Sequence, residues 1–353
     1  ADRRTLAMER AAWGSVFAGL GALAYYVAYA TIIWRTVAGE FSLGDLTFLA
    51  GSFLRLRGLL ESLLLGVSQV AGQALYLEDL FSFFEIRPAI TSPPRAVPVP
   101  RPPREGIVFE NVGFCYPDAK RWAVRHLDLS IRSGEVVALV GENGAGKTTI
   151  VKLLARLYEP TEGRILLDGR DLRDFDLADL RGRIGVIFQD FVRFGFSARE
   201  NIGVGAIEAA DDQARVRDAA ERSLADAVVT GLPLGYDQIL GKRFSTGVEL
   251  SGGEWQKIAI ARAYMRDADI LVLDEPTAAL DARAEYEVFQ RFGDLSRGKT
   301  ALLISHRFST VRMADRILVL EHGKVVESGS HEELLAARGR YAALFELQAA
   351  GYR

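Results

Sequence analysis

The stretch that decides the fold is Val136-Val137-Ala138-Leu139-Val140-Gly141-Glu142-Asn143-Gly144-Ala145-Gly146-Lys147-Thr148-Thr149. Its first half is apolar without alternation, as in a strand buried on both faces of a parallel sheet. Gly141, Gly144 and Gly146 then let the backbone close into a loop with its N–H groups turned inward. Thr149–Arg156 reads as a helix. The loop therefore meets a helix N-terminus, where unpaired N–H groups and the helix dipole favour an anion. In this strand–loop–helix order Lys147 reaches the outer phosphates of a nucleotide and Thr148 offers a hydroxyl to a divalent metal. Asn143, Ala145 and Thr149 line the same cradle.

Downstream, Ile270–Leu273 and Ala301–Ile304 are two more uninterrupted apolar strands. Ile317–Leu320 and Lys324–Glu327 flank His322-Gly323 and predict a hairpin. The second strand ends in Asp274-Glu275. An acid at that place puts a carboxylate beside a phosphate-bound metal, here Asp274, and Glu275 is then within reach to accept a proton from attacking water. Leu250-Ser251-Gly252-Gly253-Glu254-Trp255-Gln256 precedes a helical stretch, Lys257–Met265. Ser251 and Glu254 have the spacing of a capping box, so Ser251 is expected at a helix N-terminus. With Gly252 and Gly253 beside it, that turn makes a second anion site, whereas one nucleotide has a single terminal phosphate to offer.

Upstream the character changes. Ala11 to Trp34 holds no charged residue and is bracketed by Arg10 and Arg35. It is long enough to cross a hydrocarbon core, which takes about 20 residues. Gly44 to Phe84 has no proline and reads as one helix of about 60 Å, carrying Arg55, Arg57 and Glu61. Arg57 and Glu61 stand at i, i+4 and can pair on one face. Two spans are expected, at about 11–34 and 46–70, with the second helix running on to about 84. Arg3, Arg4 and Arg10 before the first span outweigh the short connection, placing both chain ends in the cytosol. Residues 88–104 hold seven of the eleven prolines and read as an extended linker between a partial transmembrane domain, 1–87, and a domain over 105–353. The net charge of −3 argues against a nucleic-acid binder, and Cys115, the only cysteine, excludes an internal disulfide. The opening Ala1-Asp2-Arg3-Arg4 reads like the inside of a helix and predicts sequence upstream.

These motifs, in this order, resemble the ATP-binding cassette (ABC) family, and the two preceding helices resemble the C-terminal part of an exporter half-transporter. The resemblance covers essentially the whole chain. It implies an α/β P-loop NTPase cassette with a helical subdomain, preceded by two transmembrane α-helices. It also implies ATP and Mg²⁺ as ligands, with Lys147 acting at the transferred phosphate. Tyr116, in Phe114-Cys115-Tyr116-Pro117, resembles the aromatic that stacks on adenine. Gln189 resembles the Q-loop ligand to Mg²⁺, joining Thr148 and Asp274, and the sensor of the membrane domain. Leu250–Gln256 is similar to the family signature, with Glu254 where glutamine is usual. Asp274 and Glu275 match the metal-associated acid and the catalytic base. Asp281 in Ala279-Leu280-Asp281 resembles the D-loop, and His306 the switch histidine that contacts the γ-phosphate.

As a partner the resemblance implies a second cassette, in a homodimer or heterodimer, with each ATP held between one P-loop and the other's Ser251 turn. Four further spans would precede this chain, membrane lipid would surround it, and the cassette would lie on the cytoplasmic side of the cell membrane. Export follows from the resemblance alone, and the cargo stays open among lipids, peptides and drugs. Two alternatives are a soluble ABC-type ATPase acting on nucleic acid or ribosomes and a separate importer ATPase subunit. Both are opposed by the fused apolar helices.

Overall fold

The computed structural model describes residues 2–117, 119–243, 245–275, 290–305 and 307–350. They form two compact units, one ending at Pro88 and one starting at Ala89.

The first unit is two long helices, α1 (Asp2–Val37) and α2 (Leu43–Glu85). Ser42 and Asp45 form a reciprocal capping box that starts α2, satisfying two of its unpaired N–H groups. The helices touch where the Tyr25 and Phe53 rings lie 6.3 Å apart. Arg57 stands 5.6 Å over the Tyr25 ring and donates to Glu61 at 2.8 Å, which is the expected i, i+4 pair. Most large apolar side chains of both helices, Trp13, Phe17, Leu59 and Leu63 among them, are exposed. An apolar surface of that extent calls for cover by hydrocarbon or protein. Among the described residues one helical stretch, Ala12–Val37, is both long and apolar enough to cross a membrane. The charged residues of α2 set it apart from that stretch.

The second unit is built on a six-stranded sheet of order β10-β9-β3-β8-β7-β6. Its strands are β3 (Val136–Val140), β6 (Ile184–Ile187), β7 (Ile270–Asp274), β8 (Thr300–Ile304), β9 (Arg316–Glu321) and β10 (Lys324–Gly329). All neighbours are parallel except β9 and β10, the hairpin that the sequence predicts. Ala138, Val140, Leu271, Leu273, Ala301 and Leu303 pack into one core with the helical part of the unit. Their neighbours Val137, Leu139, Val272, Leu302 and Ile304 pack into a second core on the opposite face. Burial on both faces is why these strands lack alternation in the sequence.

The second core is closed by an antiparallel sheet, order β2-β1-β4-β5, of β1 (Gly106–Phe114), β2 (Val124–Arg132), β4 (Glu162–Leu167) and β5 (Arg170–Asp171). It is also closed by α3 (Lys147–Leu154), which buries Ile150, Val151, Leu153 and Leu154 there. The first core gathers α5 (Ala198–Gly203), α6 (Gln213–Arg222), α7 (Ala225–Thr230) and α8 (Gly252–Arg266) around Trp255 and Ile258. Together these make the α/β cassette with a helical subdomain.

The proline-rich segment does not hang free. Val97 N–H donates to Asp174 O, Asp176 N–H donates to Val97 O, and Val99 is buried, its N–H donating to Asp179 at 2.7 Å. Arg156 reaches Thr91 O at 3.2 Å, and Ser92 accepts from Leu177 N–H, at the start of α4 (Leu177–Arg183).

Candidate active site

The site forms where parallel strands end. β3 leads into the glycine loop, and α3 begins at Lys147 with Gly146 as its N-cap. Gly146 has φ +104°, and a Cβ there would lie 2.7 Å from a Val124 methyl and 2.8 Å from Ala123 O. A Cβ on Gly141 would lie 2.3 Å from Leu320 O of β9. The loop therefore has no room for side chains at Gly141 and Gly146, where neighbouring backbone closes on it.

Lys147 is buried, and its Nζ donates to Gly141 O at 2.8 Å and Glu142 O at 3.0 Å. Burial pulls its pKa down, against the charges of Glu275 and Asp274. Asp274, the last residue of β7, is also buried. Burial pushes its carboxyl pKa up. The Thr148 hydrogen bond and Lys147 act against that rise, while the charges of Glu275 and Asp190 add to it. Glu275 and Asp190 are thus each close enough to act on the Asp274 carboxylate, with the Thr148 hydroxyl bonded to it and the Lys147 ammonium beside it. Among the described residues no group of three or more His, Cys, Asp and Glu side chains is placed to hold a metal ion.

Glu275 follows in the left-handed backbone region, φ 46°, with its N–H on Ile304 O at 2.9 Å. That conformation costs a non-glycine residue about 1–2 kcal/mol, and such strain concentrates at functional sites. Gln189 lies just beyond β6, whose Ile187 pairs with Leu273 of β7. Its neighbour Asp190 is near enough to act on Asp274. Hence the Gln189 segment and the Asp274-Glu275 pair share one end of the sheet.

Tyr116 stands against α3. Its hydroxyl is 3.3 Å from Thr149 Oγ1, Lys152 lies over its ring, and Phe114 and Tyr158 meet it edge-on at 4.9 and 5.3 Å. Ser251 N-caps α8: its N–H donates to Glu254 at 2.7 Å, and its hydroxyl accepts from Glu254 N–H at 3.3 Å. Among the described residues no hydrogen bond or ion pair joins this turn, with Gly252 and Gly253, to the glycine loop or to Asp274. Asp281 and His306 lie outside the described residues.

Residues 124–278 match the ABC transporter family model. An ATP-dependent lipid A-core flippase of Syntrophus aciditrophicus (strain SB) is 40% identical over 332 residues, 94% of this chain and 53% of the relative. A solved structure of a bacterial Atm1-family ABC exporter with ATP bound is similar with a TM-score of 0.75 at 34% identity. It is matched over 98% of this chain and 61% of that one. The chain belongs to the ABC transporter family. Subtilin transport ATP-binding protein SpaT of Bacillus subtilis is a further ABC relative, 36% identical over 90% of this chain and 50% of its own length. The chain spans about half the length of the curated relatives it matches. It carries the family's ATP-binding, ATP-hydrolysing cassette, here with helices fused in front.

Two residues near the ABC site escape the sequence reading. Asp190 adds its charge to the acidic end of the sheet. Arg262 of α8 donates to Asn201 O, Asn201 Oδ1 and Val192 O at 2.7–2.8 Å, tying α8 to the segment after Gln189. Burial pulls its pKa down to about 10. The signal for Arg262 was in the sequence: a lone charge inside the apolar run Ile258-Ala259-Ile260-Ala261-Arg262-Ala263.

Proposed function

We propose that this chain is the ATP-hydrolysing part of an ABC exporter, closing on a second cassette around MgATP and parting after hydrolysis to drive substrate across a membrane. Lys147 and the loop amides hold the triphosphate at the N-terminus of α3, and Tyr116 supports the adenine. Thr148, Gln189 and Asp274 would hold Mg²⁺, which supplies positive charge to the phosphate oxygens. Glu275 accepts a proton from the attacking water, and the strained backbone at that residue supports a fixed orientation for its carboxylate. Asp281 and His306 lie outside the described residues; the family resemblance gives Asp281 to the D-loop and His306 to the γ-phosphate.

The observation that carries this reading is the separation of two phosphate sites within one cassette. Among the described residues no hydrogen bond or ion pair joins the capped Ser251 turn to its own glycine loop, so a triphosphate shared between two cassettes would complete both sites. The partner is a second copy or a related chain. The exposed apolar surfaces of α1 and α2 support a multi-pass chain with two spans in the cell membrane and a cytoplasmic cassette. They favour an exporter over a soluble ABC ATPase or a detached importer subunit. The relatives include a lipid A-core flippase and a subtilin transport ATP-binding protein, and the similar solved structure is that of an ABC exporter, which supports export as the direction of movement.

The test uses Glu275→Gln in detergent micelles with MgATP, followed by light scattering. The expected outcome is hydrolysis lowered at least about a hundredfold, with nucleotide retained and the chain paired. A Glu275→Gln chain that binds MgATP yet remains monomeric would overturn the shared-site reading, and normal turnover would remove Glu275 as the base.

A further inference from the structure

The outer side of the glycine loop is walled by the C-terminal segment. Gly323 in the β9–β10 turn donates to Ala145 O at 3.1 Å, beside the Leu320 carbonyl that approaches Gly141. The helix Arg340–Ala350 starts against the same wall. Its first two N–H groups, of Arg340 and Tyr341, donate to the Glu327 carboxylate of β10 at 2.5 and 3.0 Å. Tyr341 is fully buried, with its hydroxyl 2.8 Å from His331 Nδ1. The backbone of Arg340 is therefore fixed, and its guanidinium reaches Glu142 at 2.5 Å and Glu321 at 3.2 Å.

Glu142 belongs to the glycine loop itself, and its carbonyl accepts from Lys147 Nζ. Its carboxylate is a negative charge in the loop that receives a multiply negative triphosphate. Left unpaired, it would repel the ligand, and a side chain free to swing would vary the loop's shape. Arg340 cancels the charge and holds the side chain outward. We propose that Arg340 is a positioning residue of the nucleotide site, through which the C-terminal helix sets the affinity of the glycine loop for the triphosphate. The proposal rests on the phosphate-loop reading above.

The experiment measures MgATP affinity of the full chain in detergent micelles, with Glu275→Gln as the common background to stop turnover. Arg340→Ala is expected to weaken binding about three- to fivefold, the size of a solvent-accessible ion pair. Adding salt should shrink that difference, because the pair is screened. Glu142→Gln combined with Arg340→Ala should bind as tightly as Glu142→Gln alone, because the charge that Arg340 answers is gone. An unchanged affinity in Arg340→Ala overturns the proposal, as does a loss that persists in full in the double variant, which would mark a packing role. A background chain that binds no MgATP removes the phosphate-loop reading and this proposal together; one that binds normally while Arg340→Ala is silent removes this proposal alone.

Discussion

Glu254 occupies the signature position where glutamine is usual, and the structure gives it a local task. One of its oxygens accepts the Ser251 N–H while its own N–H is held by the Ser251 hydroxyl. Carboxylate and amide oxygens can both play that part, so the substitution leaves the turn's shape intact. This much was legible, because a capping box depends only on neighbours three residues apart. Lys147 was legible for the same reason, and its bonds to Gly141 O and Glu142 O show the ammonium already turned into the cradle. Replacing it with alanine removes a charge-assisted donor and should weaken nucleotide binding by about 10- to 100-fold, read by titration with a fluorescent ATP analogue. Unchanged affinity would count against the whole cradle. The contact of Asp190 with the acidic strand end was not legible, since it depends on two strands lying side by side.

Among elements, the parallel strands announce themselves through unbroken apolar runs, and their ends carry the chemistry. The antiparallel sheet was hidden. β1 departs from register between Phe109 and Val112, and Asn111 and His126 have positive φ, so the two-residue period breaks where it would be read. The central sheet is braced at its opposite end by Glu135, just before β3, and Arg316, the first residue of β9, joined by two bonds of 2.8 and 3.0 Å. Burial alone would raise the Glu135 pKa, but hydrogen bonds from Arg316 and the Arg132 N–H, with both positive charges, bring it below its ordinary 4.5. A depressed carboxyl stabilises the fold above its unfolded pKa, and that contribution is lost as pH falls below about 4.5. Arg316→Ala should cost about 1–2 kcal/mol at neutral pH, and the gap from the parent should narrow in acid denaturation below that pH. A gap constant down to pH 3 would show that the bridge contributes nothing.

For the whole molecule, the split between apolar helices and cassette was legible from composition alone. The seating of residues 91–99 was not, because its partners lie about 65 to 85 positions away and none has a sequence signature. With Trp13, Phe17 and Leu63 open to the surroundings, the chain should sediment with membranes and need detergent for release. Recovery in the soluble fraction after carbonate washing would overturn the membrane reading.

That seating has a mechanical consequence. A tug on the polypeptide just upstream of Thr91 would load the bonds to Arg156, Asp176, Leu177 and Asp179 before it strained β1. α4 passes directly into β6, and Gln189 follows at its end. Tension entering at the prolines is thereby delivered to the Gln189 segment beside the acidic end of β7, as a lever's load reaches its fulcrum.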